Sequence, residues 1–377
     1  MSTAAVDIRP LGIAELVDKE SQSSMLVSAM ARNRLGGTLL FYGSDGSGKS
    51  SLAFWLAASL NCERHGGLGA ACGECGSCRK VASLSHPDVF WSFPLPGNHY
   101  SSGVPDAGKL EQLYKRKRER PAQAIEFAEK AEHHLAAVGR IKAEAGRSCY
   151  EGRRKVFVVT HADRLRLEAA NAFLKLLEEP REGVTIILCT SRPSSLLPTI
   201  LSRCQRMQLT RLTEDTVEGL LAGRYGLQQS AAERAAEVAE GNLSVALGLG
   251  QEGALDAQRE WVDRTLVAVQ EKSGSSMLAL LDDRKGPFHN RGDFERYSAL
   301  LTSVLRDVLL ACVTGRRSEK EQIEAIAARV ADSRKLIKLV GKTVNLGDSL
   351  NRNVNLRLLG YSLLNEMREV LGERAGK

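Results

Sequence analysis

Gly43-Ser44-Asp45-Gly46-Ser47-Gly48-Lys49-Ser50 fits the G-x4-G-K-[ST] pattern at every defined position. Thr38-Leu39-Leu40-Phe41-Tyr42 before it reads as a buried strand, and Ser51-Leu52-Ala53-Phe54-Trp55-Leu56-Ala57-Ala58 after it reads as a helix free of Gly and Pro. Strand, glycine loop and helix in this order predict a phosphate-binding loop. Its candidate nucleotide-binding residues are Gly43, Gly46, Gly48, Lys49, Ser50 and Ser51. Backbone N–H groups and the positive end of the helix cradle phosphate oxygens, Lys49 reaches the β/γ-phosphates, and Ser50 ligates Mg²⁺.

A partner strand is expected about a hundred residues later, at Lys155-Val156-Phe157-Val158-Val159, and Val184-Thr185-Ile186-Ile187-Leu188-Cys189-Thr190 is a third β-rich run. Ala169, Ala172, Phe173, Leu176 and Leu177 between them follow helical spacing, and Pro180 stops that helix. Strands alternating with helices predict a parallel α/β sheet. After Leu209 strand signals vanish. Leu212 to Leu247 reads as short helices broken at Gly223-Arg224-Tyr225-Gly226 and Gly241-Asn242, and longer helices follow from Gly253. Phe294, Tyr297, Leu301, Val304, Leu305, Val308 and Cys312 form one apolar stripe, read as core or subunit-packing surface. Between Pro94 and Tyr150 the chain reads as polar and irregular, with a loop at 98–108 and a basic run from Lys115 to Arg120 taken as a solvated helix face.

The length of 377 residues predicts two or three domains. A net charge of +7 with a pI near 9.0 suits anionic partners such as nucleic acid but is too mild to identify one. Met1 to Leu11 carries Asp7 and Arg9 and no apolar signal core, and no run approaches the roughly 18 apolar residues of a membrane span. The expectation is a cytoplasmic protein without membrane association, whose eight cysteines stay reduced.

Half of those cysteines cluster. Cys62, Cys72, Cys75 and Cys78 form C-x9-C-x2-C-x2-C, a set of four thiolates able to close a tetrahedral Zn²⁺ shell with no open position. Gly73 and Gly76 let the knuckle turn its thiols inward, and the segment is too polar for a core. The expectation is structural zinc, with His65 and His86 as alternative ligands.

These motifs, with His86-Pro87-Asp88, Asn171-Ala172-Phe173-Leu174-Lys175-Leu176-Leu177-Glu178-Glu179-Pro180 and Leu197-Pro198-Thr199-Ile200-Leu201-Ser202-Arg203-Cys204, carry a resemblance. From about Leu35 to Leu247 the chain resembles the bacterial DNA polymerase III clamp-loader ATPases of delta-prime type. The resemblance implies an AAA+ P-loop domain over residues 1–208 with the zinc module at 62–78, a helical lid over 209–252 and an all-α collar over 253–377. It implies a ring with gamma/tau-like and delta-like subunits that places a sliding clamp on primed DNA. ATP or ADP with Mg²⁺ and structural zinc are the implied cofactors. Thr190 takes the place of the family's first phosphate sensor, and Arg203 that of an arginine finger reaching a neighbour's nucleotide.

Two departures matter. Active members carry Asp-Glu after the partner strand, where this chain has Thr160-His161, and Ala162-Asp163-Arg164-Leu165 keeps the register unshifted. Where active members carry the lid arginine, Gly241-Asn242-Leu243-Ser244 puts Ser244. The expectation is a chain that holds nucleotide, hydrolyses little by itself and completes another subunit's site. Two other readings compete. One is an active gamma/tau-like ATPase, which Thr160-His161 opposes. The other is a zinc-containing nucleic-acid-binding protein, which the scarcity of aromatics and arginines in the cysteine segment opposes. The role of the 96–137 insertion stays open.

Overall fold

The computed structural model describes residues 26–372 apart from 27, 33, 66–68, 102–103, 120–130, 252, 272–273, 315–320, 331, 345 and 347–354. The Met1–Leu11 reading and Arg120 of the basic run lie outside them. The described residues up to Gln229, with Glu240–Ser244, form one compact unit; Ser230–Ala239 and those from Val245 onward form the second.

The first unit is built on five parallel strands: β1 (Thr38–Tyr42), β2 (Val89–Ser92), β3 (Lys155–Val159), β4 (Val184–Thr190) and β5 (Gln205–Gln208), in the order β2-β3-β4-β1-β5. The predicted parallel α/β sheet is present. Its three central strands are the three read from sequence, because strands covered on both faces are apolar at nearly every position. The outer two escaped that reading. β5 is polar Gln-Arg-Met-Gln, largely exposed, and pairs only with β1 among the described strands. β2 is four residues long, too short for a periodic signal. Register sets the ends of β1, β4 and β5 level, with Tyr42 beside Thr190 and Gln208, while β3 ends earlier, with Val159 beside Leu188.

Helices α1 (Lys49–Leu60), α2 (Gly76–Ala82), α3 (Ala107–Glu119), α4 (Leu135–Ala145), α5 (Leu167–Glu178) and α6 (Pro198–Leu201) join the strands. Every residue of α1 from Leu52 to Leu60 is buried. On another side of the sheet, Val138, Ile141, Phe157, Phe173, Ile186 and Ile200 share one core, each such side chain contributing about 1.5–3 kcal/mol on burial.

The segment between Pro94 and Tyr150 is more regular than its polarity suggested. Asp106 Oδ1 accepts the Lys109 N–H and starts α3 inside the expected loop. Short ladders pair Leu95–Pro96 with Ala131–Glu132 and Tyr100–Ser101 with Val104–Pro105. The basic run is corrected at one position. Lys115 and Arg116 are exposed, but Lys117 is only 5% exposed, and burial brings its ammonium down to about 8. Helical spacing places it one turn after the half-buried Tyr114, whose hydroxyl donates to the Trp91 carbonyl at 2.9 Å.

Beyond β5 the chain is helical as expected: α7 (Glu214–Gly223), α8 (Gln229–Ala239), α9 (Leu243–Leu249), α10 (Ala254–Gln270), α11 (Ser275–Asp282), α12 (Arg291–Thr314), α13 (Glu321–Ala327), α14 (Ser333–Val344) and α15 (Leu356–Leu371). In the second unit α12 packs against α10, α13 and α14. Phe294, Tyr297, Leu301, Leu305 and Val308 of the predicted stripe are buried there, and Val304 and Cys312 are partly covered. Tyr297 donates its hydroxyl to Thr265 Oγ1 at 2.9 Å, which satisfies the polar tip inside the core.

The expectation of no apolar run of membrane-spanning length needs correction at α12. By length and composition it passes that test, with a window of mean hydropathy 1.4. A helix packed on several sides reaches such values without a membrane, and here its aromatic stripe lies in the core.

Candidate functional site

The glycine loop leads from the end of β1 into α1. Gly43 N donates to the Thr190 carbonyl at 3.3 Å, tying the loop to the end of β4. Gly46 has φ +76, and a β-carbon there would collide with the Asn242 side chain. Asn242 Oδ1 accepts the Ser244 N–H at 3.1 Å, so the Gly-Asn-Leu-Ser stretch folds onto the loop tip. Lys49 Nζ donates to the Gly43 and Ser44 carbonyls at 2.8 and 2.6 Å. Burial lowers its pKa, opposed by Asp45, Cys189 and Asp163. Loop, Lys49, Thr190 and Asp163 are thus gathered at one end of the sheet, where parallel α/β sheets bind ligands.

The end of β3 carries no carboxylate at the two positions after Val159. Thr160 is buried, and its N–H and hydroxyl both donate to the Ser92 carbonyl, at 3.1 and 3.2 Å. The Thr160 hydroxyl proton is therefore spent on β2. The Thr160 carbonyl accepts from His133 Nε2 at 2.7 Å, and Ser92 Oγ lies 3.1 Å from His133 Nδ1. Because a carbonyl only accepts, Nε2 carries the proton and Nδ1 accepts from the serine hydroxyl. Burial brings His133 down to about 4, so it stays neutral near pH 7. His161 adopts φ +50 and ψ +51, an uncommon conformation for a residue with a side chain.

Asp163, three residues after Thr160, is the next carboxylate along the chain, and both its oxygens are engaged. Oδ1 accepts from Thr190 Oγ1 at 2.6 Å, while Oδ2 accepts from Arg192 Nε and Nη2 at 3.1 and 2.5 Å. Its side chain is 2% exposed. Arg192 was not legible as a site residue, since an arginine just after a strand follows no pattern.

At the other end of α1, about 18 Å away at 1.5 Å per residue, the four cysteine sulfurs lie within 4.8 Å of one another. Cys72 and Cys78 Sγ are 4.0 Å apart, close to the roughly 3.8 Å edge of a tetrahedron with 2.3 Å Zn–S bonds. Cys72 Sγ accepts from Cys75 N and Cys75 Sγ from Cys78 N, both at 3.4 Å. Burial pushes the Cys72 thiol up, but backbone N–H groups of Glu74 and Cys75 and the neighbouring thiols bring it down to about 6. Four convergent sulfurs with N–H donors fit a closed zinc shell. The cluster assembles without His65 or His86. His86 Nδ1 instead accepts from Asp88 N at 3.1 Å.

Asp88 of the His-Pro-Asp stretch is an anchor whose role its local sequence does not reveal. Fully buried, it accepts backbone N–H groups of Tyr150, Glu151 and Gly152 at 2.7–3.0 Å. Asn61 Oδ1 takes the next two, from Arg153 and Arg154, at 2.9 and 3.0 Å. Burial raises the Asp88 pKa, but these N–H groups and Lys155 outweigh it and hold the carboxyl below its usual range. The turn entering β3 is thereby tied to both flanks of the cysteine segment.

The protein-family profile described as "DNA polymerase III, delta subunit" matches residues 18–213, more than half of the chain. The chain belongs to this clamp-loader family. It is 25% identical over 288 residues to DNA polymerase III subunit delta' of Bacillus subtilis, covering 76% of this chain and 75% of that protein. It is 34% identical over 165 residues to the delta' subunit of Pseudomonas aeruginosa, covering 44% and 40%. To subunit tau of Escherichia coli it is 28% identical over 288 residues, covering 73% of this chain but only 37% of that longer protein. Among solved structures, a DNA polymerase III gamma-subunit-related protein of Thermotoga maritima aligns over 93% of this chain and 99% of its own, at 18% identity and TM-score 0.41.

Proposed function

We propose that this chain is the delta-prime-type subunit of a DNA polymerase III clamp loader, working in the cytoplasm beside gamma/tau-like and delta-like subunits to place a sliding clamp on primed DNA. The observation that carries the reading is a complete phosphate loop beside a β3 end whose Thr160 is bonded to Ser92 and whose next carboxylate along the chain, Asp163, is held by Arg192. A metal-assisted hydrolytic site needs a carboxylate free to support the metal and a group to polarise water. In this reading Gly43, Gly46, Gly48, Lys49, Ser50 and Ser51 hold ATP or ADP with Mg²⁺, Thr190 faces the phosphates, and turnover by the isolated chain is slight. The residues to 208 serve as the AAA+ domain, 209–252 as lid and 253–377 as collar.

Arg203 supplies the chemistry this chain exports. A guanidinium set against a neighbour's γ-phosphate stabilises charge that develops in the transition state. Cys62, Cys72, Cys75 and Cys78 hold structural zinc that fixes the segment between α1 and β2. The test is reconstitution with the other loader subunits of its own cell, scoring ring assembly and DNA-stimulated ATP turnover. A chain that forms no such complex, or that turns over ATP rapidly alone, refutes the assignment.

A further inference from the structure

The Arg203 side chain is not loose. Its Nε and Nη2 both donate to Glu178 Oε2, at 3.1 and 3.0 Å, and its Nη1 donates to the Thr199 carbonyl at 2.9 Å. Glu178 ends α5 and Thr199 lies in α6, so two elements grip one guanidinium from two edges. A guanidinium carries five N–H groups. Among the described residues three are used, leaving one on each terminal nitrogen, which is the pair a phosphate accepts in a two-point contact.

The pair is partly open, with the arginine side chain 28% and the glutamate 56% exposed. Exposed ion pairs add little to folding stability. Orientation is what such a grip supplies: a long side chain loses its rotamer freedom before its target arrives.

We propose that Glu178 is the positioning residue for Arg203, fixing the plane of the guanidinium so that its two remaining N–H groups meet a neighbouring subunit's phosphate. This rests on the reading of Arg203 as a finger acting in trans. Glu178 touches no nucleotide and acts only through the arginine. Its loss therefore lowers kcat while leaving the KM for ATP unchanged, because the finger engages charge that appears in the transition state.

The experiment measures DNA-stimulated ATP turnover by the reconstituted loader with Glu178→Ala, Arg203→Ala and the double variant. Since a small misplacement of a catalytic group can cost up to a hundredfold, Glu178→Ala is expected to lower kcat about tenfold at constant KM. In the Arg203→Ala background it is expected to have no further effect, as a residue acting through one partner must. Glu178→Gln, which keeps an acceptor oxygen, recovers part of the rate. If Arg203→Ala lowers turnover and Glu178→Ala does not, the positioning role falls and the finger stands. An increase in kcat with Glu178→Ala makes the glutamate a brake and overturns the proposal. An equal loss in both backgrounds assigns Glu178 to the fold and overturns it too. Unchanged turnover with Arg203→Ala removes the finger itself, and Glu178's role with it.

Discussion

Arg192 grips Asp163 through two nitrogens, at 3.1 and 2.5 Å, while Thr190 donates to the other carboxylate oxygen. One carboxylate thereby links the end of β4 to the turn after β3. Removing Arg192 strands a buried charge, so Arg192→Ala is expected to destabilise the first unit by about 3 kcal/mol, within the range for breaking buried pairs. Urea denaturation checks this. Adding Asp163→Asn should recover part of the loss, because the residual charge is then gone.

The isolated chain should bind ATP or ADP and hydrolyse little. Lys49→Ala should abolish binding, read by equilibrium titration with a fluorescent nucleotide. A robust steady-state ATPase rate that Lys49→Ala removes would contradict the reading of Thr160 and His161.

Replacing Cys75 with Ser removes one of four thiolates while leaving a side-chain oxygen able to cap α2. Metal analysis should show zinc in the parent protein and its loss in the variant, with faster hydrogen exchange around residues 62–82. Protein purified without chelators and lacking zinc would end the metal assignment.

Arg203→Lys should rescue the assembled loader poorly. An ammonium cannot reproduce three fixed N–H contacts and a two-point phosphate contact at once. Lys49→Ala in this subunit should change turnover of the complex less than Arg203→Ala, since the hydrolysing site belongs to the neighbour. Turnover assays on each reconstituted variant decide both points.

His133 gives a pH signature. Its folded pKa, about 4, lies below the 6.5 of an unhindered histidine, so the folded state binds fewer protons than the unfolded state between those values. The stabilisation is complete above pH 6.5 and is lost as pH falls toward 4. With about 1.4 kcal/mol per unit over that window, roughly 3 kcal/mol is at stake. His133→Gln can still donate to the Thr160 carbonyl but does not titrate, so its stability should fall less over that window. Equal slopes for parent and variant in denaturation at pH 4 to 7 would exclude His133 as the source.

The sequence by itself determined the three central strands, the phosphate loop, the cysteine cluster and the helical character beyond β5. These are local signals: runs of apolar residues, a fixed glycine spacing, thiols a few positions apart. It also showed that Thr160 and His161 stand where acids were expected. What those residues do instead was not legible, because their partners are distant in sequence. Thr160 meets Ser92 and His133, Asp163 meets Arg192, Asp88 meets the 150–152 turn, and Arg203 meets Glu178. Strand β5 stayed hidden because an exposed edge strand has no need of apolar residues, and Lys117 because a charge run does not reveal which member turns inward. Hydrogen bonds and ion pairs between remote segments leave no periodicity, so only the tertiary structure could decide them.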